Sequence, residues 1–232
     1  MKSFPTRNRI ALIPALLLPG FASLFYFVLI PESLAARIIY GATKLFTLLW
    51  PILATRYLLD PATVPPLRTT WKSSRRDVLT GTAAGVIMAL TIIAAFLSPA
   101  GSPVIGATDL IRRKAALLGM LDAYIPAALV MSLIHSAVEE YYWRWFVFGC
   151  ARSQMPTRAA HLIAGLAFAF HHIVVTIVYF GPAFGLLFGL AVGGAGIIWS
   201  VIYQLRGSLI SPWIAHVFCD LAIFAIGYHL IV

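Results

Sequence analysis

Seven runs of mostly apolar residues succeed one another along the chain, at about 10–30, 36–58, 79–98, 123–149, 159–180, 182–204 and 209–231. Each is long enough to cross a bilayer, which takes roughly 20 such residues in a helix. Gly and Pro recur inside them, as membrane helices tolerate. Only the turn signal Gly181-Pro182 divides the fifth run from the sixth. Two connections are polar. The stretch from Asp60 to Asp77 carries Arg68, Lys72, Arg75 and Arg76, with Pro61, Pro65 and Pro66 to break any helix. The stretch from Pro99 to Asp122 sets Asp109, Arg112, Arg113 and Lys114 beside leucines, which predicts an amphipathic surface helix. The pattern predicts an all-α, polytopic transmembrane helix bundle of about seven spans plus that amphipathic helix. It divides into residues 1–122, with three spans, the basic loop and the amphipathic segment, and residues 123–232, with a four-span core.

Composition turns this pattern into a class. Hydrophobic residues make up 61% of the chain and charged ones 11%, where a soluble domain carries about 25% charged residues. A water-soluble fold could not hide that much apolar surface, so lipid is the solvent. The net charge of +9 does not point to nucleic acid, because the basic residues sit in short runs between apolar stretches and form no basic face with interleaved aromatics. Cys150 and Cys219 belong to no C-x-x-C pair, which argues against a disulfide framework or a structural zinc site. The start, Met1-Lys2-Ser3-Phe4-Pro5-Thr6-Arg7-Asn8-Arg9, leads into an apolar run longer than a signal-peptide core with no A-x-A-like cleavage site, and is read as a retained first span.

With the N-terminus inside, Lys2, Arg7, Arg9, Arg56, Arg68, Lys72, Arg75, Arg76, Arg152, Arg158 and Arg206 fall on the cytoplasmic side. The outer side then holds Arg37, Arg112, Arg113 and Lys114. Eleven against four favours a cytoplasmic N-terminus, with the Arg112 group as the misfit.

Ionisable side chains within a span cost roughly 2.5–3.5 kcal/mol each on insertion scales, so each one calls for a reason. Lys44 stands alone in the second span and is read as an amphipathic position or a snorkelling side chain. The fourth span carries Glu139-Glu140-Tyr141-Tyr142-Trp143-Arg144. On a helix Glu140 and Arg144 share a face four residues apart and can pair. Glu139 points about 100° away and lacks that partner, a division suited to general-base work. The fifth span holds Phe168-Ala169-Phe170-His171-His172, with Phe168 and His172 on one face and His171 turned elsewhere. The seventh puts His216 and Asp220 on one face as a hydrogen-bonding pair.

Depth ties these groups together. Glu139 lies 13 residues before Arg152, His172 lies 14 after Arg158, and His216 and Asp220 lie 10 and 14 after Arg206. At 1.5 Å per residue all sit roughly 15–21 Å from one membrane boundary. Such groups can serve simply as interhelical glue, but a common depth on three helices favours a site. Other polar positions carry blander readings. His135 suits interhelical packing, His161 and His229 lie near span ends as interfacial residues, and Cys219 is an inert buried thiol. Tyr141, Tyr142, Trp143 and Trp145 are packing residues.

The three motifs E-E-x-x-x-R at Glu139–Arg144, F-x-x-x-H at Phe168–His172 and H-x-x-x-[N/D] at His216–Asp220 resemble the signatures of the CAAX-protease and bacteriocin-processing family. Gly207-Ser208-Leu209-Ile210, before Pro212-Trp213-Ile214-Ala215-His216, is similar to the lead-in to that family's last motif. The resemblance covers roughly residues 125–230. It implies a helical intramembrane endopeptidase with 123–232 as the catalytic core. Glu139 and His172 would activate water, His216 and Asp220 would stabilise the oxyanion, and Glu140 and Arg144 would orient the site. Asp220 stands where the family often has Asn. No cofactor is required by the motifs. A divalent metal such as zinc, if present, would be held by Glu139, His172 and His216 in an open catalytic site, and the absence of H-E-x-x-H leans the reading toward a glutamate-activated water. The implied partners are the lipid bilayer and a membrane-anchored or membrane-proximal peptide substrate. The expected location is a prokaryotic cell (inner) membrane. Two other readings compete: a non-catalytic membrane scaffold or bacteriocin-immunity protein of the same fold, and a small proton-coupled transporter, for which inverted repeats would be expected.

Overall fold

In the computed structural model the described residues, 6–117 and 119–232, are helical with short connections and form no strand. Lys2, counted above for orientation, lies outside them. Helices are the form in which a chain in lipid can satisfy its backbone within each segment. Five are long and apolar enough to cross a membrane by length and composition: Thr6–Leu29, Leu34–Tyr57, Arg75–Leu97, Thr157–Arg206 and Ile210–Ile231. Together they make this an integral membrane protein. Backbone contacts gather into two compact units, one from the chain up to Trp71 with Val138–Leu209, the other from Lys72–Ala137 with Ile210–Val232. Each is assembled from an early and a late stretch of sequence.

In the first unit, α1 (Thr6–Leu24) runs on through a π-helical turn, Phe25–Leu29. Pro19 lies inside α1 and has no N–H, so the carbonyl of Ala15 loses its helical partner. The hydroxyl of Tyr142 donates to that carbonyl at 2.9 Å, the internal satisfaction that a water-free medium demands. α2 (Leu34–Tyr57) starts at Ser33, whose hydroxyl accepts from the N–H of Ala36 at 3.0 Å. The Trp50 indole joins the two helices by donating to Ala11 O at 2.9 Å. The proline-rich loop breaks the helix as expected and contains only the short α3 (Leu67–Thr70).

The second unit holds α4 (Arg75–Leu97), α5 (Ser102–Gly106), α6 (Thr108–Leu117) and α11 (Ile210–Ile231). A capping box of Ser74 and Asp77 begins α4. Gly81 and Gly85 let its backbone approach Ser211, Ala215 and Phe218 on α11. The amphipathic helix expected over 99–122 is α6, whose Ala115 packs with Tyr124, Ala128 and Ile231.

The span expected over 123–149 is a composite. It comprises α7 (Tyr124–Val130), a π-helical turn Met131–His135, α8 (Ser136–Glu140), a π-helical stretch Tyr141–Phe148 and α9 (Gly149–Gln154). π-Helix is rare and frequent at functional sites, and here it begins directly after Glu139 and Glu140.

The fifth and sixth expected spans are the two arms of α10 (Thr157–Arg206), which changes direction at Gly181. With φ 76° and ψ 173°, Gly181 occupies a region essentially closed to residues with a Cβ. The arms then pack back on each other. Gly185 lies against Ile177, Gly189 against Ile173 and Gly193 against Ala169, each without room for a side chain. The hydroxyl of Thr176 donates across to Gly185 O at 2.6 Å. Small residues allow this approach where no hydrophobic effect drives helices together.

A side chain at Gly189 would meet Ile173, its Cβ only 2.6 Å from the Ile173 Cα, whereas Gly194 has open space around it. Gly189→Leu is therefore expected to lower the thermal unfolding midpoint in detergent by several degrees, consistent with overpacking costs of about 1–3 kcal/mol. Gly194→Ala should leave it unchanged.

Candidate functional site

The first unit draws Glu139, Glu140, Arg144, His171 and His172 together. Glu140 and Arg144, one helical turn apart, pair at 3.1 Å between Oε1 and Nη1, and both are fully buried. The guanidinium lies between two aromatic faces, 4.5 Å from the Phe168 ring centroid and 4.8 Å from that of Trp199. Such cation–π contacts strengthen when desolvated. Gly196 leaves room for the Phe168 contact, since a Cβ there would lie 2.8 Å from Phe168 and 3.2 Å from Arg144 Nη2. One carboxylate is thus neutralised by a cation held on three sides.

Glu139, about 100° round the helix, faces the histidines. Its Oε1 is 3.6 Å from His171 Nε2. Sequence reasoning turned His171 elsewhere; it faces Glu139 instead. The reason is packing, for the imidazole lies flat on the Trp143 ring, 5.6 Å away at an interplanar angle of 5°. His172 lies beside it, ring centroids 4.0 Å apart. Nδ1 of His172 is 2.9 Å from Phe168 O. A carbonyl only accepts, so Nδ1 carries the proton and Nε2 is left with its lone pair. Phe168 therefore does two things, its ring bracing Arg144 and its carbonyl setting the His172 tautomer.

Donor atoms of Glu139, His171 and His172 all lie within 4.8 Å of one another. One carboxylate and two imidazoles are the donor types of an open catalytic zinc site, and the Phe168 carbonyl behind His172 is the kind of support that orients a ligating imidazole. The residues present fit a divalent metal. Glu139 and His172 belong to the expected donor set; within this unit the third donor is His171.

His216 and Asp220 belong to the second unit, on α11. They share a face as expected, with His216 Nε2 and Asp220 Oδ1 3.6 Å apart, and His216 is buried. Cys219 and Cys150 are buried and in no disulfide among the described residues.

Lys44, read from sequence as a snorkelling side chain, lies with its ammonium 5.3 Å from the Tyr40 ring centroid, and Tyr40 and Tyr26 stand edge to face at 5.4 Å. His161 also departs from expectation. It is buried and bonded at 2.6 Å to both Ser200 and Gln204, clasping the ends of the α10 arms. His229 is exposed in the last turn of α11, in keeping with an interfacial residue.

Fold and site define a helical integral membrane protein with a carboxylate–histidine centre built into its spans. Residues 121–222 match the family model described as Type II CAAX prenyl endopeptidase Rce1-like. The matched stretch is a little under half of the chain and contains all three motifs, so the matching family model agrees with the resemblance that the motifs carry. No curated protein and no solved structure matches the chain.

Removing one partner of a buried ion pair leaves an uncompensated charge and costs about 3–5 kcal/mol. Arg144→Met is expected to destabilise the protein on that scale in denaturant or thermal unfolding. Adding Glu140→Gln to it should recover part of the loss, which a double-mutant cycle measures directly.

Proposed function

We propose that this protein is an intramembrane endopeptidase, cleaving membrane-anchored or membrane-proximal peptides by water that Glu139 activates. The observation that carries the reading is the split between adjacent carboxylates: Glu140 is bound to Arg144, while Glu139 is turned to the two histidines. The Rce1-like match supports peptidase chemistry at the level of the family.

In this mechanism Glu139 accepts a proton from water while His172 Nε2 orients it. The water oxygen adds to the peptide carbonyl, and the π electrons move onto the carbonyl oxygen. Collapse of the tetrahedral intermediate breaks the C–N bond, and the departing amine takes the proton held by Glu139. For His216 and Asp220, on one face of α11, the motif resemblance implies an oxyanion-stabilising role. Glu140 and Arg144 act by position, fixing the helix turn from which Glu139 projects. A divalent metal held by Glu139, His171 and His172 would add Lewis-acid polarisation of the water.

A peptide reaching this site must be held at the membrane, because the groups lie within apolar helices. Charge asymmetry supports a cytoplasmic N-terminus in a prokaryotic inner membrane, with substrate tails approaching from the cytoplasmic side. A scaffold or immunity role would leave the carboxylate–histidine arrangement without a use.

Purified protein in detergent or nanodiscs should cleave members of a library of lipidated and membrane-anchored peptides. Glu139→Gln should cut kcat by at least the roughly 10²–10⁴-fold that general-base catalysis supplies, while keeping the wild-type elution profile and unfolding midpoint. Full activity in that variant removes Glu139 from the mechanism.

A further inference from the structure

A cavity of about 220 Å³ lies in the first unit at the ends of its helices, apart from the carboxylate–histidine centre. Arg152 in its lining stands 13 residues beyond Glu139, roughly 15–20 Å along the same helix. Three stretches wall it: the proline-rich loop with α3, the Phe148–Arg152 turn, and the last turn of α10. The loop is fixed to both of its neighbours. Leu209 N donates to Thr70 O at 2.7 Å, and the Trp145 indole donates to Pro65 O at 2.8 Å. Gly149 lets Val64 close in, since a Cβ there would lie 2.8 Å from Val64 Cγ1. The cavity is therefore preformed.

Among the described residues its lining includes one cation, Arg152, and no acid. Tyr203 is only 6% exposed, and its hydroxyl has no hydrogen-bond partner among the described residues. Buried polar groups ordinarily have one. Its ring is braced edge to face on Phe148 at 6.3 Å, and Phe148 is itself stacked on His161. Gln204 Oε1 accepts from His161 Nε2 at 2.6 Å, which leaves the amide NH2 to donate elsewhere. The Thr69 and Thr70 hydroxyls donate to Pro66 O and Leu67 O and add no further donor. A guanidinium without counter-charge, a phenol and an amide thus line one small space. That set suits an anion with several acceptor oxygens, and donors from three side chains match a tetrahedral phosphate better than a planar carboxylate. The cavity adjoins Arg206 at the end of a span, the level at which the phosphates of anionic headgroups lie.

We propose that this cavity binds the phosphate group of an anionic lipid headgroup, with Arg152 neutralising its charge and Tyr203 and Gln204 donating to its oxygens. A lipid seated there fastens the proline-rich loop to the ends of two helices and takes no part in the chemistry at Glu139. The site stands independently of the endopeptidase reading.

The test titrates full-length protein in non-ionic detergent by calorimetry. The probes are a short-chain phosphatidylglycerol, the same diacylglycerol without phosphate, and inorganic phosphate. Phosphatidylglycerol should bind and the diacylglycerol should not. Arg152→Gln should weaken phosphatidylglycerol by at least about tenfold, through lost charge-assisted hydrogen bonds. Tyr203→Phe should weaken it by roughly two- to tenfold, the net worth of one neutral hydrogen bond. Arg158→Gln removes an exposed arginine outside the lining and should leave binding unchanged. All three variants should keep the wild-type unfolding midpoint without lipid. Unchanged binding in Arg152→Gln overturns the proposal, as does equal weakening in Arg158→Gln, which would mark a general basic surface. Inorganic phosphate binding as tightly as the lipid, with the same loss in Arg152→Gln, overturns the lipid as occupant and assigns the cavity to free phosphate.

Discussion

Charge held inside apolar helices governs this structure. A guanidinium and a carboxylate in lipid surroundings are costly unless they neutralise each other. Glu140 and Arg144 do so at 3.1 Å, and the rings of Phe168 and Trp199 add cation–π contacts over the guanidinium. Much else is arranged to keep this pair closed. Gly196 has no side chain because the guanidinium and Phe168 take its place. Phe168 is held at the right height because its own helix is drawn against the next arm by a line of glycines. The neighbouring carboxylate, Glu139, inherits a defined direction from the rigidity of that pair.

The same economy of polar groups runs through the rest of the first unit. Pro19 releases a carbonyl in α1, and a tyrosine from the Glu139-bearing helix answers it. The Trp145 indole donates to Pro65 O in the proline-rich loop at 2.8 Å. His161 is satisfied on both ring nitrogens by the opposite arm of its hairpin. These bonds do what hydrophobic burial does in water: they choose which helix faces stay in contact. The exposed leucines, isoleucines and phenylalanines along the same helices are then free to face lipid. In that setting Tyr141, Tyr142, Trp143 and Trp145 are more than filler, since three of the four bond to specific backbone carbonyls and Trp143 lays His171 flat.

Most of the helical layout could be read along the chain because insertion into lipid depends on local run length. The first three runs and the last fall within a few residues of observed helices, and Gly181-Pro182 marked the reversal of α10. The fourth run was harder, since π-helical turns leave no periodic trace in so uniformly apolar a stretch. At the site, Glu140 with Arg144 and His216 with Asp220 were legible because both members of each pair lie on one helix, four residues apart. His171 was misread for the opposite reason. Its direction is decided by the Trp143 ring on another helix, which a helical wheel of its own span cannot contain.

What the sequence by itself determined, then, is whatever one helix can settle alone: apolar length, the bend at Gly181, the intrahelical pairs and the three motifs. Only the tertiary structure decided which side chains from different helices meet. It turned His171 toward Glu139, set Lys44 over the Tyr40 ring, and closed His161 into a bonded clasp. The physical reason is that in lipid the choice between helix faces rests on close glycine contacts and a few polar bonds. Their partners lie tens of residues away, beyond the reach of any local pattern.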